Sequence, residues 1–236
     1  MELFEKLFGI EAERVQASCI VMPFVPKVVL QEFGVNRLTR GKLYGAGNGE
    51  SFTVFHTRMG ASFTGDAVLS LSETPCRELY FLGTCGLLRE VPGLKIGSLV
   101  SPSRCYAQES FTSLLSGLSE PERLTTPDSL LHRALMSAVG EGEIKEVTGI
   151  SAGSLKLQVE KIGEWRERGV QVVDLESAAF FAAARQIERP AAALMVVSDI
   201  VGEIPWDQES DRELVSGSLR TAARILCEII RKKQRD

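Results

Sequence analysis

Short apolar runs alternate with amphipathic stretches along most of the chain, and this alternation predicts strands and helices in turn. Ser18 to Met22 is the first apolar run, behind a short amphipathic lead-in over residues 1–17. Pro23 and Pro26 break it and open a helix from about Lys27 to Phe33. Phe52 to His56 alternates as a strand, and a helix follows from Ala61 to about Ser72. Glu78 to Leu82 and Glu146 to Ser151 read as further strands, with a helix over about Asp128–Val139 before the last. The runs Val170 to Val173 and Ala191 to Val197 are short, rich in Val and flanked by helical stretches, as buried parallel strands are. Val215, Leu219, Ala222, Leu226 and Ile229 recur at helical spacing in a final helix from about Gln208 to Lys232, which packs one face on the sheet. The expected architecture is α/β, a twisted mixed β-sheet flanked by helices on both faces.

The connecting segments are marked by glycine, proline and hydroxyl residues. Arg40-Gly41 with Gly45, Gly47 and Gly49 reads as a turn-rich passage between two strands, and Gly83-Thr84-Cys85-Gly86 as a turn after a strand. Residues 112–127 read as a mobile surface segment. At 236 residues, with 44% hydrophobic and 25% charged positions, the chain fits one domain spanning residues 1–236. A net charge of −4 and a pI near 5.5 argue against a nucleic-acid surface, since no basic run appears before Arg231-Lys232-Lys233. Five widely spaced cysteines without a Cys-x-x-Cys pair read as free thiols in a reducing compartment, and two histidines make a His-rich metal site improbable. With no leader and no apolar run long enough for a membrane, the expectation is a cytoplasmic protein.

Acids follow the last two apolar runs at once: Asp174 and Glu176 after the first, Asp199 after the second. Ligands of open α/β sheets bind at the carboxyl ends of strands, so these three carboxyl groups point at one candidate site. Taken singly, Asp174 and Glu176 suit a helix N-terminus equally well, and Asp199 a turn. The glycines around Thr84 would let the backbone approach an anion closely.

The run Val173-Asp174-Leu175-Glu176-Ser177-Ala178-Ala179, followed by Val197-Ser198-Asp199, resembles the paired signature of the nucleoside phosphorylase and nucleosidase superfamily: a Val-acid-Met-Glu-small-Ala run, then Val-Ser-Asp. The resemblance extends over roughly residues 18–230. Met59-Gly60 matches the end of the family's Gly-x-Gly, with Arg58 in place of the first glycine. Gly83-Thr84-Cys85-Gly86 resembles its Gly-Ser/Thr-x-Gly turn. Lys95-Ile96-Gly97-Ser98-Leu99-Val100 resembles its Lys-x-Gly-Asp-x-Val strand, with Ser98 for the acid. The phosphate end departs from the family: Phe24-Val25-Pro26-Lys27-Val28 stands where phosphorolytic members have Gly-Asp-Pro-x-Arg, and Phe81 where they have a second arginine.

The resemblance implies a three-layer nucleoside phosphorylase-like fold and cleavage of an N-glycosidic bond. That reaction makes an oxocarbenium-like sugar and an anionic base, so ribose hydroxyls must be held, the departing base protonated and a nucleophile supplied. By resemblance, Glu176 binds ribose and Asp199 is the general acid, with Arg212 as its partner at the spacing of hexameric bacterial purine nucleoside phosphorylases. Arg212 reads equally as a surface helix residue. Leu175 replaces a methionine under the sugar and base, and Asp174, Met59, Ser198, Cys85 and Gly86 complete the substrate pocket. Tyr106 or Phe111, in a loop from Arg104 to Phe111, would stack on a ring. A loop and helix with Glu160 and Trp165 leads up to the acidic signature, and Gly202, Pro205 and Trp206 form a lid. Thr84, Arg40, Arg58 and Lys27 are the expected phosphate ligands, Arg40 reaching across a subunit interface. These imply phosphorolysis by a pentosyltransferase with phosphate as co-substrate and no cofactor or metal. The expected partners are a small-molecule nucleoside and phosphate, without nucleic acid or membrane, in a homodimer or homohexamer. The alternatives are a hydrolytic nucleosidase of the methylthioadenosine or futalosine type, for which no acid stands between Ser18 and Gln31 to activate water, and a non-catalytic nucleoside-binding member.

Overall fold

The computed structural model describes residues 2–88, 91–116, 123–140, 143–202 and 209–234. Helix α1 (Glu2–Phe8) leads into β1 (Ser18–Met22) and α2 (Lys27–Glu32). Three short strands follow, β2 (Thr39–Arg40), β3 (Gly45–Asn48) and β4 (Thr53–His56), and then α3 (Ala61–Leu69). Two long strands, β5 (Glu78–Leu87) and β6 (Leu99–Gln108), precede α4 (Ser110–Ser116), β7 (Arg123–Thr125) and α5 (Ser129–Met136). The remainder is β8 (Ile144–Ala152), α6 (Ile162–Glu167), β9 (Val172–Asp174), α7 (Ser177–Gln186), β10 (Ala191–Ile200) and α8 (Glu209–Lys233).

Strand β10 shows why these runs are strands. Successive side chains point to opposite faces of a sheet. Ala193, Met195 and Val197 enter one core with Phe180 and Phe181 of α7 and Phe4 and Phe8 of α1. Ala192, Leu194 and Val196 enter the other, with Leu131 of α5 and Leu219, Leu226 and Ile230 of α8. β1 divides likewise, Cys19 and Val21 to the first core and Ile20 and Met22 to the second. A strand buried on both faces needs an unbroken apolar run, which is what the sequence shows there.

The ten strands of the described residues belong to one mixed sheet. β5 pairs with β10 along one edge from Leu79 to Leu87. Its other edge is shared: Glu78–Phe81 pair with β1, and Gly86 and Leu87 pair antiparallel with β9. β10, β6, β8 and β9 are themselves paired in that order, so they close with β5 into a ring, while β1, β4, β3 and β2 extend from it as an open sheet. The two partners of β5 part company between Leu82 and Cys85, and a cleft opens at that fork.

Several boundaries differ from the sequence reading. Gly83-Thr84-Cys85-Gly86 is not a turn but the second half of β5, held in extended form by pairing with β10. Gly45 and Gly47 lie inside β3. Arg104 to Gln108 is the end of β6 rather than a loop. The segment 112–127 contains most of α4 and also β7, which is paired with β6. Phe111 is buried in the first core against Gly65 of α3, where an added Cβ would lie 2.3 Å from the ring. Only glycine permits that approach.

Candidate active site

A cavity of about 570 Å³ lies at the fork, where the carboxyl ends of β1, β5, β9 and β10 meet. Asp174, Leu175 and Glu176 line it from the end of β9, Ser198 and Asp199 from β10, and Thr84, Cys85 and Gly86 from β5. Met59 closes it from the turn after β4, and Pro23 and Phe24 from the end of β1.

Asp174 and Glu176 play different parts although two residues apart. Asp174, 7% exposed, turns back to its own helix: its Oδ1 and Oδ2 accept from the backbone N–H groups of Glu176 and Ser177 at 3.3 and 3.1 Å. It thereby satisfies orphan donors at the start of α7. The Ser151 hydroxyl, opposite Asp174 in the β8–β9 register, donates to the same Oδ1 at 2.5 Å and accepts from Ala178 N–H at 2.8 Å. With its α7 amides so occupied, the helix leaves the Glu176 side chain without a capping bond. Glu176 reaches across the cleft instead, and its Oε1 accepts from Gly60 N–H at 2.6 Å.

Burial raises the Asp174 carboxyl above its usual range, an effect that the Ser151 and Ser177 donors offset in part. Burial pushes Glu176 up to about 8, with the Asp174 charge adding to it and the Gly60 and Leu175 amides opposing it. A carboxyl group so placed holds its proton at neutral pH until donors to its ionised form arrive.

Asp199 owes its direction to a β-bulge. The β10–β5 register slips between Val197 and Asp199, which leaves Ser198 without a partner and sets Asp199 opposite Gly86. Ser198 Oγ donates to Asp199 Oδ1 at 2.5 Å, with the Cys85 carbonyl as a second acceptor at 3.2 Å. A Cβ on Gly86 would stand 2.5 Å from Val201 Cγ2 and 3.0 Å from Asp199 Oδ2, so the glycine makes room for the acid. Burial raises the Asp199 carboxyl as well, against the Ser198 hydrogen bond.

Other expected site residues stand apart. Arg40, Arg58 and Lys27 are exposed and do not line the cavity. Arg212 is exposed on α8 and makes no ion pair with Asp199 among the described residues, although Val215, three positions on, lines the cavity from the same helix. The 13-residue spacing that suggested the pair counts chain length, whereas meeting Asp199 depends on the path through residues 203–208 and on the rotation of α8. Pro205 and Trp206 lie outside the described residues. Tyr106 does not line the cavity, and the Arg168 guanidinium covers its ring at 4.8 Å. Trp165 is buried and donates to Gln108 Oε1 at 3.1 Å, and Glu160 is exposed. Sequence reasoning missed the Gly60 amide, Ser151 and the lining residues Leu155 and Gln158. Ser151 carries a legible signal, a hydroxyl at the end of a buried strand; Gln158 carries none.

Among the described residues no cluster of metal-ligating side chains occurs, and no helix is long and apolar enough to cross a membrane. The structure resembles uridine phosphorylase from Vibrio fischeri at a TM-score of 0.74 and 17% identity, over 91% of this chain and 93% of the other. It resembles the 5'-methylthioadenosine/S-adenosylhomocysteine nucleosidase of Campylobacter jejuni at 0.73 and 14%, over 92% and 99%. AMP nucleosidase from Bacteroides thetaiotaomicron matches at 0.76 and 18%, over 100% and 97%. At such identities the likeness speaks for the fold, and a comparison with curated protein sequences gives no match. The family profile of the phosphorylase superfamily, however, spans residues 10–231, taking in the cleft and every strand around it, and the chain therefore belongs to the phosphorylase superfamily.

Proposed function

We propose that the chain cleaves the N-glycosidic bond of a nucleoside by phosphorolysis. The observation that carries this reading is the convergence of Glu176 and Asp199 on one cavity at the fork of the sheet, each with its carboxyl raised. Asp199 in its protonated form gives its proton to the departing base as the bond to the sugar breaks. Glu176 accepts from the ribose hydroxyls, and two such donors favour its ionised form, which then faces the positive charge developing on the sugar. A phosphate oxygen bonds to the anomeric carbon, so the products are free base and ribose 1-phosphate. The Thr84 hydroxyl in the cavity supports phosphate as the acceptor.

A second reading, hydrolysis, is favoured by one observation: none of the described residues lining the cavity is Lys, Arg or His. A phosphate dianion beside three carboxyl groups needs positive charge from elsewhere. The deciding experiment is a panel of purine and pyrimidine nucleosides assayed for free base and for sugar product, with and without phosphate. Ribose 1-phosphate formed only with phosphate is the expected result. Free ribose at the same rate in phosphate-free buffer establishes hydrolysis, and no base from any nucleoside refutes both.

A further inference from the structure

We infer that Ser177 is a positioning residue: with Cys105 it completes a buried hydrogen-bond chain that holds Asp174 as the ionised cap of α7 and leaves the Glu176 side chain to the ligand. This deepens the nucleoside-cleaving reading and rests on it only for what Glu176 meets in the cavity.

The chain of bonds follows from strand register. Ala107 of β6 is paired with Ser151 of β8, and Ser151 with Asp174 of β9. Cys105 lies two positions before Ala107 and so projects to the same face. Helix α7 packs on β6 and β8, and its first residue, Ser177, brings its Oγ to 3.0 Å from Cys105 Sγ and 3.3 Å from Ser151 Oγ. Cys105, Ser151 and Ser177 are all 0% exposed, so solvent does not replace a donor that is lost there.

The count of protons gives these bonds their direction, since a hydroxyl has one proton to give. Ser151 Oγ accepts from Ala178 N–H at 2.8 Å and gives its proton to Asp174 Oδ1 at 2.5 Å, so towards Ser177 it acts as an acceptor. Ser177 gives its own proton to Ser151 or to the Asp174 carboxyl itself. In both cases Cys105 is left to donate across the 3.0 Å contact. Burial and the Asp174 charge push its thiol up, so it has the proton to give. The reverse order would place a proton on Asp174 and end the chain on sulfur, a weak acceptor. Glu176 N–H and Ser177 N–H also point at the acid, and donors to a charged acceptor make the stronger bonds, so the order that ends on a carboxylate prevails.

The ionised cap acts on Glu176 twice: it takes the α7 amides, and its charge favours the proton on the Glu176 carboxyl. The other titratable groups around it are Cys85 of β5, Asp199 of β10 and Glu109 beyond β6, none of which supplies positive charge. No Lys, Arg or His of the described residues lines the cavity beside them. Asp174 therefore depends on hydrogen-bond donors to hold its charge. Ser177 supplies its amide directly and its hydroxyl either directly or through Ser151.

The test is a carboxyl-carbon NMR titration of the ligand-free full chain and of Ser177→Ala, Cys105→Ala and Cys105→Ser, with Asp174→Asn and Glu176→Gln assigning the two signals. Melting curves verify that the variants fold. In Ser177→Ala the Asp174 midpoint should rise, and the Glu176 midpoint should fall from about 8 by about one pH unit or more, because a neutral Asp174 no longer opposes ionisation of its neighbour. Cys105→Ala should shift the two midpoints in the same opposite directions by less, and Cys105→Ser should restore the wild-type values, the new hydroxyl donating in place of the thiol. Removing a residue that merely packed would admit water and lower both midpoints together. Both midpoints unmoved, or both lowered, in Ser177→Ala and Cys105→Ala would overturn the inference. Should Ser177→Ala not fold, the pair Cys105→Ala and Cys105→Ser decides alone. No substrate enters the readout: opposite shifts in a chain that releases no base from any nucleoside uphold the positioning role and refute the nucleoside-cleaving reading.

Discussion

Replacing Glu176 by Gln should stabilise the empty protein while depriving the cavity of its ribose-binding carboxylate. The folded carboxyl, at about 8, lies above its ordinary value of 4.5. The proton is thus held more tightly in the folded chain than in the unfolded one. Its contribution to stability is complete below about pH 4.5 and is lost as pH rises through about 8. At pH 7 the unfolded chain has gained roughly two and a half pH units of ionisation that the folded chain has not, worth about 3 kcal/mol at 1.36 kcal/mol per unit. The Gln variant forgoes that gain in the unfolded state, keeps the side-chain shape, and still accepts from Gly60 N–H through its amide oxygen. It should therefore be about 3 kcal/mol more stable than the wild type at pH 7, a rise of roughly 6–12 °C in melting temperature for a chain of this size. At pH 5 the advantage should fall to about 1 kcal/mol or less. Urea unfolding of both proteins at pH 5, 7 and 8 measures this directly. An advantage that is the same at all three values would mean that Glu176 is ionised in the fold, and the argument from burial would be wrong.

Asp199→Asn should lower kcat by about 10²–10⁴-fold with little change in substrate affinity, because it removes the proton donor and keeps the shape; steady-state kinetics on the best nucleoside of the panel checks this. Ser151→Ala should destabilise the chain by about 1–3 kcal/mol in urea unfolding, since Asp174 loses its buried O–H donor and Ala178 N–H its acceptor. Gly86→Ala should cost about 1–3 kcal/mol and displace Asp199, because the new methyl meets Val201 and the carboxylate; a fall in kcat larger than the loss of stability explains is the expected signature.

Where the chemistry depends on neighbours in sequence, the residues alone were informative. An apolar run buried on both faces announces a strand, and a carboxyl placed directly after it must appear at the strand's carboxyl end, so the sequence places Asp174, Glu176 and Asp199 near one cleft. The alternation of such runs with amphipathic helices likewise determined a helix-flanked mixed sheet. What tertiary structure decided is everything that depends on a partner distant in the chain. The Gly83–Gly86 stretch has the composition of a turn, and pairing with β10, joined at Gly86 by β9, keeps it extended. The fork in β5 that opens the cavity, and the closure of five strands into a ring, are properties of pairing and leave no trace in local composition. Asp174 and Glu176 look alike in sequence, yet one caps its own helix and the other crosses to Gly60, a choice made by Ser151 from β8 and the turn after β4. Arg212 makes no ion pair with Asp199 among the described residues, and a matching interval along the chain constrains neither the path between two residues nor the rotation of the helix that carries the second. Local sequence determines what each segment can bury, and long-range pairing determines which side chains then face one another.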